Sequence, residues 1–382
     1  MQKTILVFTG GGITAALNST LYGVITEAQK KGFKILGGLN GWKCLLEEGK
    51  IVDLTDKDVS SLPDHGGTFL SSARTNPLKE ENGIEKVKEN IDRYKIDTII
   101  PIGGDDTIGA AREVYEKYHI PVVAVPKTVD NDLSGTYFTP GFPSAAHKMQ
   151  ILAKELKEDA AYGLKRVILL ETLGKIAGWV AAAAVYGGAD LILIPEKEVK
   201  LVSFLEKLDA VNKKNGGYAV VSMTEEVRFG KIAGIEDSQP DTFGFQRQNL
   251  VSLSLREKIK SELNIDAKIV MPRNYIQTGP PTKIDREIGI ELGKKAVDLL
   301  AAGEAGLMST VVRPDEKSTE LKVDKVSLDK VVGEKNYRNM DENFFDFDNF
   351  MVKDEFYHYM EPLIERIEDQ DDYQELIKLL TK

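Results

Sequence analysis

Short, continuous apolar runs alternate along the chain with longer segments of helical period. Thr4–Phe8, Phe33–Leu36, Thr98–Ile102 and Pro121–Val125 read as strands, and Ala15–Lys31, Gly83–Tyr94 and Thr107–Tyr118 read as helices. The second half repeats this rhythm. Helices are expected over Pro143–Asp159, Ile176–Tyr186, Val199–Lys214, Gln246–Leu263 and Ile284–Ala302, and strands at Val167–Glu171, Leu191–Ile194, Tyr218–Ser222 and Lys268–Met271. Strands that are apolar throughout, each followed by a helix, predict an α/β protein with doubly wound, largely parallel sheets covered on both faces. Beyond Arg313 the pattern is charged and less regular, ending in an amphipathic helix from about Glu355 to Leu380. A packed appendage or subunit contact is expected there rather than an active-site role.

In parallel sheets, sites form beyond the C-terminal ends of strands, so the turns there carry the chemistry. After Ile102 come Gly103 and Gly104, then Asp105 and Asp106 at a helix start. Glycine lets the backbone turn tightly, and a helix N-terminus offers N–H groups and positive potential to phosphate. Two carboxylates in the same turn call for a cation, and Mg²⁺ bridging phosphate oxygens reconciles them. That combination points to phosphoryl transfer. Gly10, Gly11 and Gly12 follow the first strand and could cradle phosphate, although the spacing is not that of a dinucleotide fingerprint. After Val125, Lys127–Thr128 leads into Asp130–Asn131–Asp132. Those last three favour Asx turns, but beside Lys127 they read as a reactive loop. Asp130 would accept a proton from a hydroxyl attacking phosphorus, supported by Asp132. Arg74 reads either as a solvated surface residue or as a planar cation on migrating charge. Arg166 is equally ambiguous, and Glu225 would hold sugar hydroxyls or cap a turn. Trp42 and the four histidines show no metal-ligand spacing and are assigned to packing or surface.

Composition narrows the class. With 382 residues the chain can bury a large core, in two domains or one with a substantial lobe. Lys+Arg 50 against Asp+Glu 60 leaves a net charge of −10, which argues against nucleic acid as partner. A single cysteine, Cys44, excludes an intrachain disulfide framework and fits a reducing cytoplasm. The sequence enters its first strand with no signal-peptide pattern, and the apolar run Ala181–Val185 is too short to span a bilayer.

Taken together, TGGGITAALNST, GGTFLSSAR, GGDDT, PKTVDND, GFPSAAHK, ETLGKIAGWVAAAA, IPE and MTE, in that order from about Phe8 to Arg286, resemble the phosphofructokinase A family. The resemblance implies two such domains with the active site between them. Residues 1–139 plus 282–330 would bind the donor and Mg²⁺, residues 140–281 the sugar phosphate, and residues 331–382 would form a C-terminal helical or irregular extension. By the same resemblance Gly11, Gly12, Gly104, Thr107 and Arg74 would contact the donor, and Asp105 would hold Mg²⁺. Thr128, Asp130 and Asp132 would surround the attacking hydroxyl. Leu173, Gly174, Lys175, Glu225 and Tyr275 would bind the sugar phosphate, and Arg166 would reach its 6-phosphate from a neighbouring subunit, implying a homodimer or homotetramer.

The family phosphorylates the 1-hydroxyl of fructose 6-phosphate and divides by donor. ATP-dependent members usually carry GGDGS and PGTIDND, whereas Asp106 and Lys127 are the pair typical of pyrophosphate-dependent members, whose reaction is near reversible. A carboxylate about 4 Å from a phosphate oxygen costs on the order of 4 kcal/mol at an effective dielectric near 20. Asp106 would therefore exclude the α-phosphate of ATP, while Lys127 supplies charge to a compact pyrophosphate. Two positions depart from the family pattern. Lys175 and Thr278 stand where arginines are usual, with Lys283, Arg273 or Lys268 as candidates to compensate. The alternatives are an ATP-dependent kinase of the same fold, a kinase for another sugar phosphate such as sedoheptulose 7-phosphate or for a polyol, an NAD kinase, and a silent sugar-phosphate-binding subunit.

Overall fold

Buried aliphatic runs determine where the sheets lie. A computed structural model describes residues 2–47, 50–230, 237–240, 246–248, 251–316, 318–331 and 337–367. In chain order the first elements are β1 (Thr4–Thr9), α1 (Leu17–Lys30), β2 (Lys34–Gly38), β3 (Ile51–Asp53), α2 (Gly83–Tyr94) and β4 (Thr98–Gly103). Next come α3 (Asp105–Tyr118), β5 (Val123–Pro126), α4 (Phe142–Glu158), β6 (Val167–Thr172), α5 (Trp179–Ala182) and β7 (Leu191–Leu193). Then α6 (Leu201–Lys214), β8 (Ala219–Thr224), β9 (Asp237–Pro240), β10 (Gln246–Gln248), α7 (Val251–Leu263) and β11 (Ala267–Val270) follow. The chain continues through α8 (Lys283–Ala301), β12 (Leu307–Val312), β13 (Lys322–Ser327), β14 (Phe345–Asp346), β15 (Met351–Val352) and α9 (Asp354–Met360).

Two sheets organise these elements. A seven-stranded sheet has the order β13-β12-β5-β4-β1-β2-β3, parallel except at its two edge strands. A four-stranded sheet, β11-β6-β8-β7, is parallel throughout. The central strands β1, β4, β6 and β8 are buried at every position, which is why they read as unbroken apolar runs. Helix α8 returns to the first sheet and packs on α1, burying Leu292, Ala296 and Val297. Among the described residues no helix is long and apolar enough to cross a membrane.

The structure corrects several boundaries. Helix α3 begins at Asp105, so both carboxylates lie inside its first turn, where the helix dipole favours negative charge. Gln246–Gln248 is a strand paired with β9, and the helix expected from Gln246 starts at Val251. The alanine-rich Ile176–Tyr186 segment is a short α5 running into a 3-10 helix that ends at Gly187. The helix expected from Glu355 to Leu380 stops at Met360, two residues before Pro362. Residues 368–382 lie outside the described residues.

Residues 337–367 pack onto the body of the protein. Tyr337 bridges Leu133 in antiparallel fashion, and Phe344, Phe356 and Tyr359 pack around Trp179. This segment closes over the surface between the two sheets.

Candidate active site

The C-terminal ends of β1, β4 and β5 point toward those of β6 and β8, and the turns after them line one cleft of about 220 Å³. From the first sheet come Gly11, Gly12, Gly104, Thr107 and Arg74. Gly11 has φ +82°, a left-handed conformation that favours glycine. A Cβ on Gly10 would lie 2.4 Å from Thr107 Oγ1, so the glycine turn and the start of α3 can approach only without a side chain there. Asp105 and Asp106 both face the cleft. The loop after β5 contributes Lys127, Thr128, Asp130 and Asp132.

The second sheet supplies the opposite wall through Leu173, Lys175, Ile176 and Glu225. Gly174 keeps its chain close to β8: its φ is +139°, and a Cβ would sit 2.8 Å from Thr224 Cγ2. Fourteen of the expected residues therefore meet in the cleft, with Gly174 supporting its wall. Arg166 and Tyr275 do not line it. Arg166, expected at a neighbouring subunit's site, pairs with Asp159 at 3.2 Å. Tyr275 is exposed, its carbonyl accepting a bond of 3.0 Å from Lys148 Nζ.

Electrostatics differentiate the charged groups. Lys127 is buried, its ammonium donating to the Gly12 carbonyl. Burial drives its pKa down to about 8, Asp130 pulls it back up, and Arg74 adds to the depression. Burial also raises the pKa values of Asp130 and Asp132, and the charge of Asp132 raises Asp130 further. Lys175, Lys127 and Arg74 oppose that rise at Asp130. A carboxylate brought towards neutrality and facing a cation is suited to proton transfer. Asp105 is raised by burial, while a hydrogen bond from Tyr337 opposes the shift. Glu225 is likewise raised by burial and opposed by Arg273, which spans Glu171 at 3.0 Å and Glu225 at 3.3 Å.

Several residues in or beside the cleft escaped the sequence reading. Asn76 Nδ2 donates to Asp106 Oδ1 at 2.8 Å, with Lys79 Nζ 3.9 Å from the same oxygen. Tyr337 lines the cleft and donates to Asp105 Oδ2 at 3.1 Å. Arg338 donates from Nε to the Asn131 carbonyl at 2.9 Å and from Nη1 to the Thr136 carbonyl at 2.7 Å. Gln277 completes the lining beside Gly12. Tyr337 lines the cleft from a segment for which the sequence predicts a packed appendage or a subunit contact rather than an active-site role. Asn76 could have been flagged by the Asn-Pro pair that opens a capped turn, its Oδ1 accepting from Leu78 N. Nothing in the sequence around Tyr337 marks it.

Known proteins share both the sequence and this architecture. Residues 4–300 match the family model described as Phosphofructokinase. The chain is 36% identical over 349 residues to a pyrophosphate–fructose 6-phosphate 1-phosphotransferase of Dictyoglomus thermophilum, covering 90% of this chain and 97% of that one. It is 30% identical over 322 residues to the ATP-dependent 6-phosphofructokinase 1 of Thermus thermophilus, covering 84% and 93% of the two chains. Among solved structures, the pyrophosphate-dependent phosphofructokinase of Marinobacter aquaeolei superposes with a TM-score of 0.83 at 25% identity, covering 96% of this chain and 94% of its own.

Proposed function

The chain belongs to the phosphofructokinase family, and within it we propose a pyrophosphate-dependent enzyme that phosphorylates the 1-hydroxyl of fructose 6-phosphate, giving fructose 1,6-bisphosphate and orthophosphate. The observation that carries the donor assignment is the pairing of Asp106 and Lys127 in one cleft. Asp106 stands in the first turn of α3, held by Asn76, where it opposes a third phosphate group, and Lys127 lies buried across the glycine turn.

In this mechanism Asp130 takes the proton of the acceptor hydroxyl as its oxygen attacks the distal phosphorus in line. The bond from that phosphorus to the bridging oxygen breaks, and orthophosphate leaves. Lys127 and Arg74 stabilise the charge that spreads over the transferring group. Gly11, Gly12, Gly104 and Thr107 surround the donor, while Thr128 and Asp132 orient the hydroxyl. Leu173, Gly174, Lys175 and Glu225 hold the sugar phosphate, and Tyr275, exposed outside the cleft, takes no part in this chain's own site. Arg166 serves the site of a neighbouring subunit, so the reading carries a homo-oligomer in the cytoplasm. Residues 1–139 plus 282–330 act as the donor domain and 140–281 as the acceptor domain.

The donor set fits Mg²⁺. Among the described residues no group of three His, Cys, Asp or Glu side chains forms a metal cage. Mg²⁺ retains several waters and binds through one or two carboxylates together with substrate phosphates, and Asp105 beside the glycine-lined wall offers that arrangement. When bound there, the ion supplies neutralisation of phosphate charge.

A second acceptor reading rests on one observation. Thr278 replaces a family arginine, and nearby Arg273 is already paired with two carboxylates, which favours another sugar phosphate or a polyol. Purified protein with Mg²⁺, assayed with ATP or pyrophosphate against a panel of sugar phosphates and polyols, tests both assignments. Turnover with pyrophosphate and fructose 6-phosphate is expected. Turnover with ATP alone overturns the donor, and preference for a different acceptor overturns the acceptor.

A further inference from the structure

The segment from Tyr337 onward reaches the cleft with an extensive hydrogen-bonded anchorage. Arg338 is fixed to the loop that carries Asp130 and Asp132: its backbone N–H donates to the Asp132 carbonyl at 2.7 Å, and its guanidinium binds the carbonyls of Asn131, Thr136 and Tyr137 together with Asn131 Oδ1. Its own carbonyl accepts from Trp179 Nε1 at 3.0 Å. Asn131, in the left-handed conformation at φ 57°, is held from the other side by Tyr359, whose hydroxyl accepts from Asn131 Nδ2 at 2.8 Å. The residue preceding this clamp is Tyr337, bridged to Leu133 and directed into the cleft, where its hydroxyl meets Asp105 Oδ2 at 3.1 Å.

We propose that Tyr337, locked in place by Arg338, is a positioning residue for the Asp105 carboxylate, so that the C-terminal segment completes the active site. A carboxylate on one short side chain can rotate about two bonds. A phenol donating to one oxygen restricts that rotation and leaves the group set for a cation shared with phosphate. Partners of this kind commonly set the affinity of a metal carboxylate without touching the metal. The inference rests on the proposed role of Asp105 towards Mg²⁺ and is independent of which donor the enzyme uses.

Tyr337→Phe removes the hydroxyl and keeps the ring and the strand bridge. Binding of Mn²⁺ to the full-length protein, followed by electron paramagnetic resonance with imidodiphosphate present, is expected to weaken about tenfold, the low end for loss of a supporting hydrogen bond at a metal ligand. The Mg²⁺ concentration for half-maximal rate should rise by a similar factor, with the acceptor KM and the thermal midpoint unchanged. Unaltered Mn²⁺ affinity and Mg²⁺ dependence overturn the proposal, as does a loss of thermal stability that accounts for the whole effect. If the wild-type protein turns over ATP and not pyrophosphate, the donor reading fails. The Mn²⁺ comparison is then made with a non-hydrolysable ATP analogue and retains its meaning.

Discussion

Replacing Lys127 with Met separates the stability of this site from its chemistry. Lys127 is 3% exposed, and burial of its ammonium lowers its pKa from 10.5 to about 8. At 1.36 kcal/mol per pKa unit, that depression corresponds to roughly 3 kcal/mol by which the charged group destabilises the empty enzyme at pH 7. Met has similar length and no charge. The substitution removes that cost and loses the hydrogen bond to the Gly12 carbonyl, worth about 1 kcal/mol. The variant should therefore be more stable than wild type by about 2 kcal/mol at pH 7. The sign of the pH dependence follows from proton binding. Between about pH 8 and 10.5 the unfolded chain binds more protons at this lysine than the folded one, so the wild type gains stability as pH rises. The advantage of the variant should shrink to near zero by about pH 9.5. Phosphoryl transfer should meanwhile fall by about 10²–10³-fold, as for loss of a preorganised charge at the reacting group. Denaturant melts at three pH values and steady-state rates measure both. A variant less stable than wild type at pH 7, or a difference independent of pH, would refute the reasoning.

Asp130→Asn should reduce kcat by about 10²–10⁴-fold while acceptor binding, measured calorimetrically, is retained; near-normal turnover removes Asp130 from the role of base. Because burial raises Asp130 and lowers Lys127 to about 8, kcat/KM should climb with pH through a range above ordinary carboxylates and decline above about 8. A rate independent of pH from about 5 to about 9 would contradict that assignment. Asp106→Gly should raise the ratio of ATP to pyrophosphate kcat/KM by about tenfold or more, since the like-charge term is worth about 1 kcal/mol in water and about 4 at lower dielectric. An unchanged ratio would place donor choice elsewhere.

Much of this was legible because parallel strands announce themselves. Ile99, Ile100 and Ile102, or Val220 and Val221, lie in strands buried on both faces, so the run has no polar alternation to blur it. The turns after β1, β4 and β5 were equally readable, since each packs its glycines, carboxylates or lysine into a few consecutive residues. Tyr337 and Arg338 were not. The partners of Arg338 are largely backbone carbonyls on a loop some two hundred residues earlier, and a carbonyl leaves no mark in a sequence. The start of α7 was misplaced because Gln246–Gln248 is polar, carries no strand signature and gains its structure by pairing with β9. Tyr275 shows the converse limit: a match in motif does not by itself bring a side chain into the cleft.

The hydrogen bond between Tyr337 and Asp105 joins residues 232 positions apart, and that between Asn131 and Tyr359 spans 228. Closing loops of that length carries an entropic cost recovered only once the far contacts form. During synthesis the first strands and helices can assemble as they emerge, but the site cannot close until the chain past Tyr359 has left the ribosome. A nascent or prematurely terminated chain would then have the glycine turn and both aspartates, yet lack the clamp on its reactive loop. On the proposed role of Tyr337, full Mg²⁺ affinity thus becomes a late event in folding, reached only when the final segment docks.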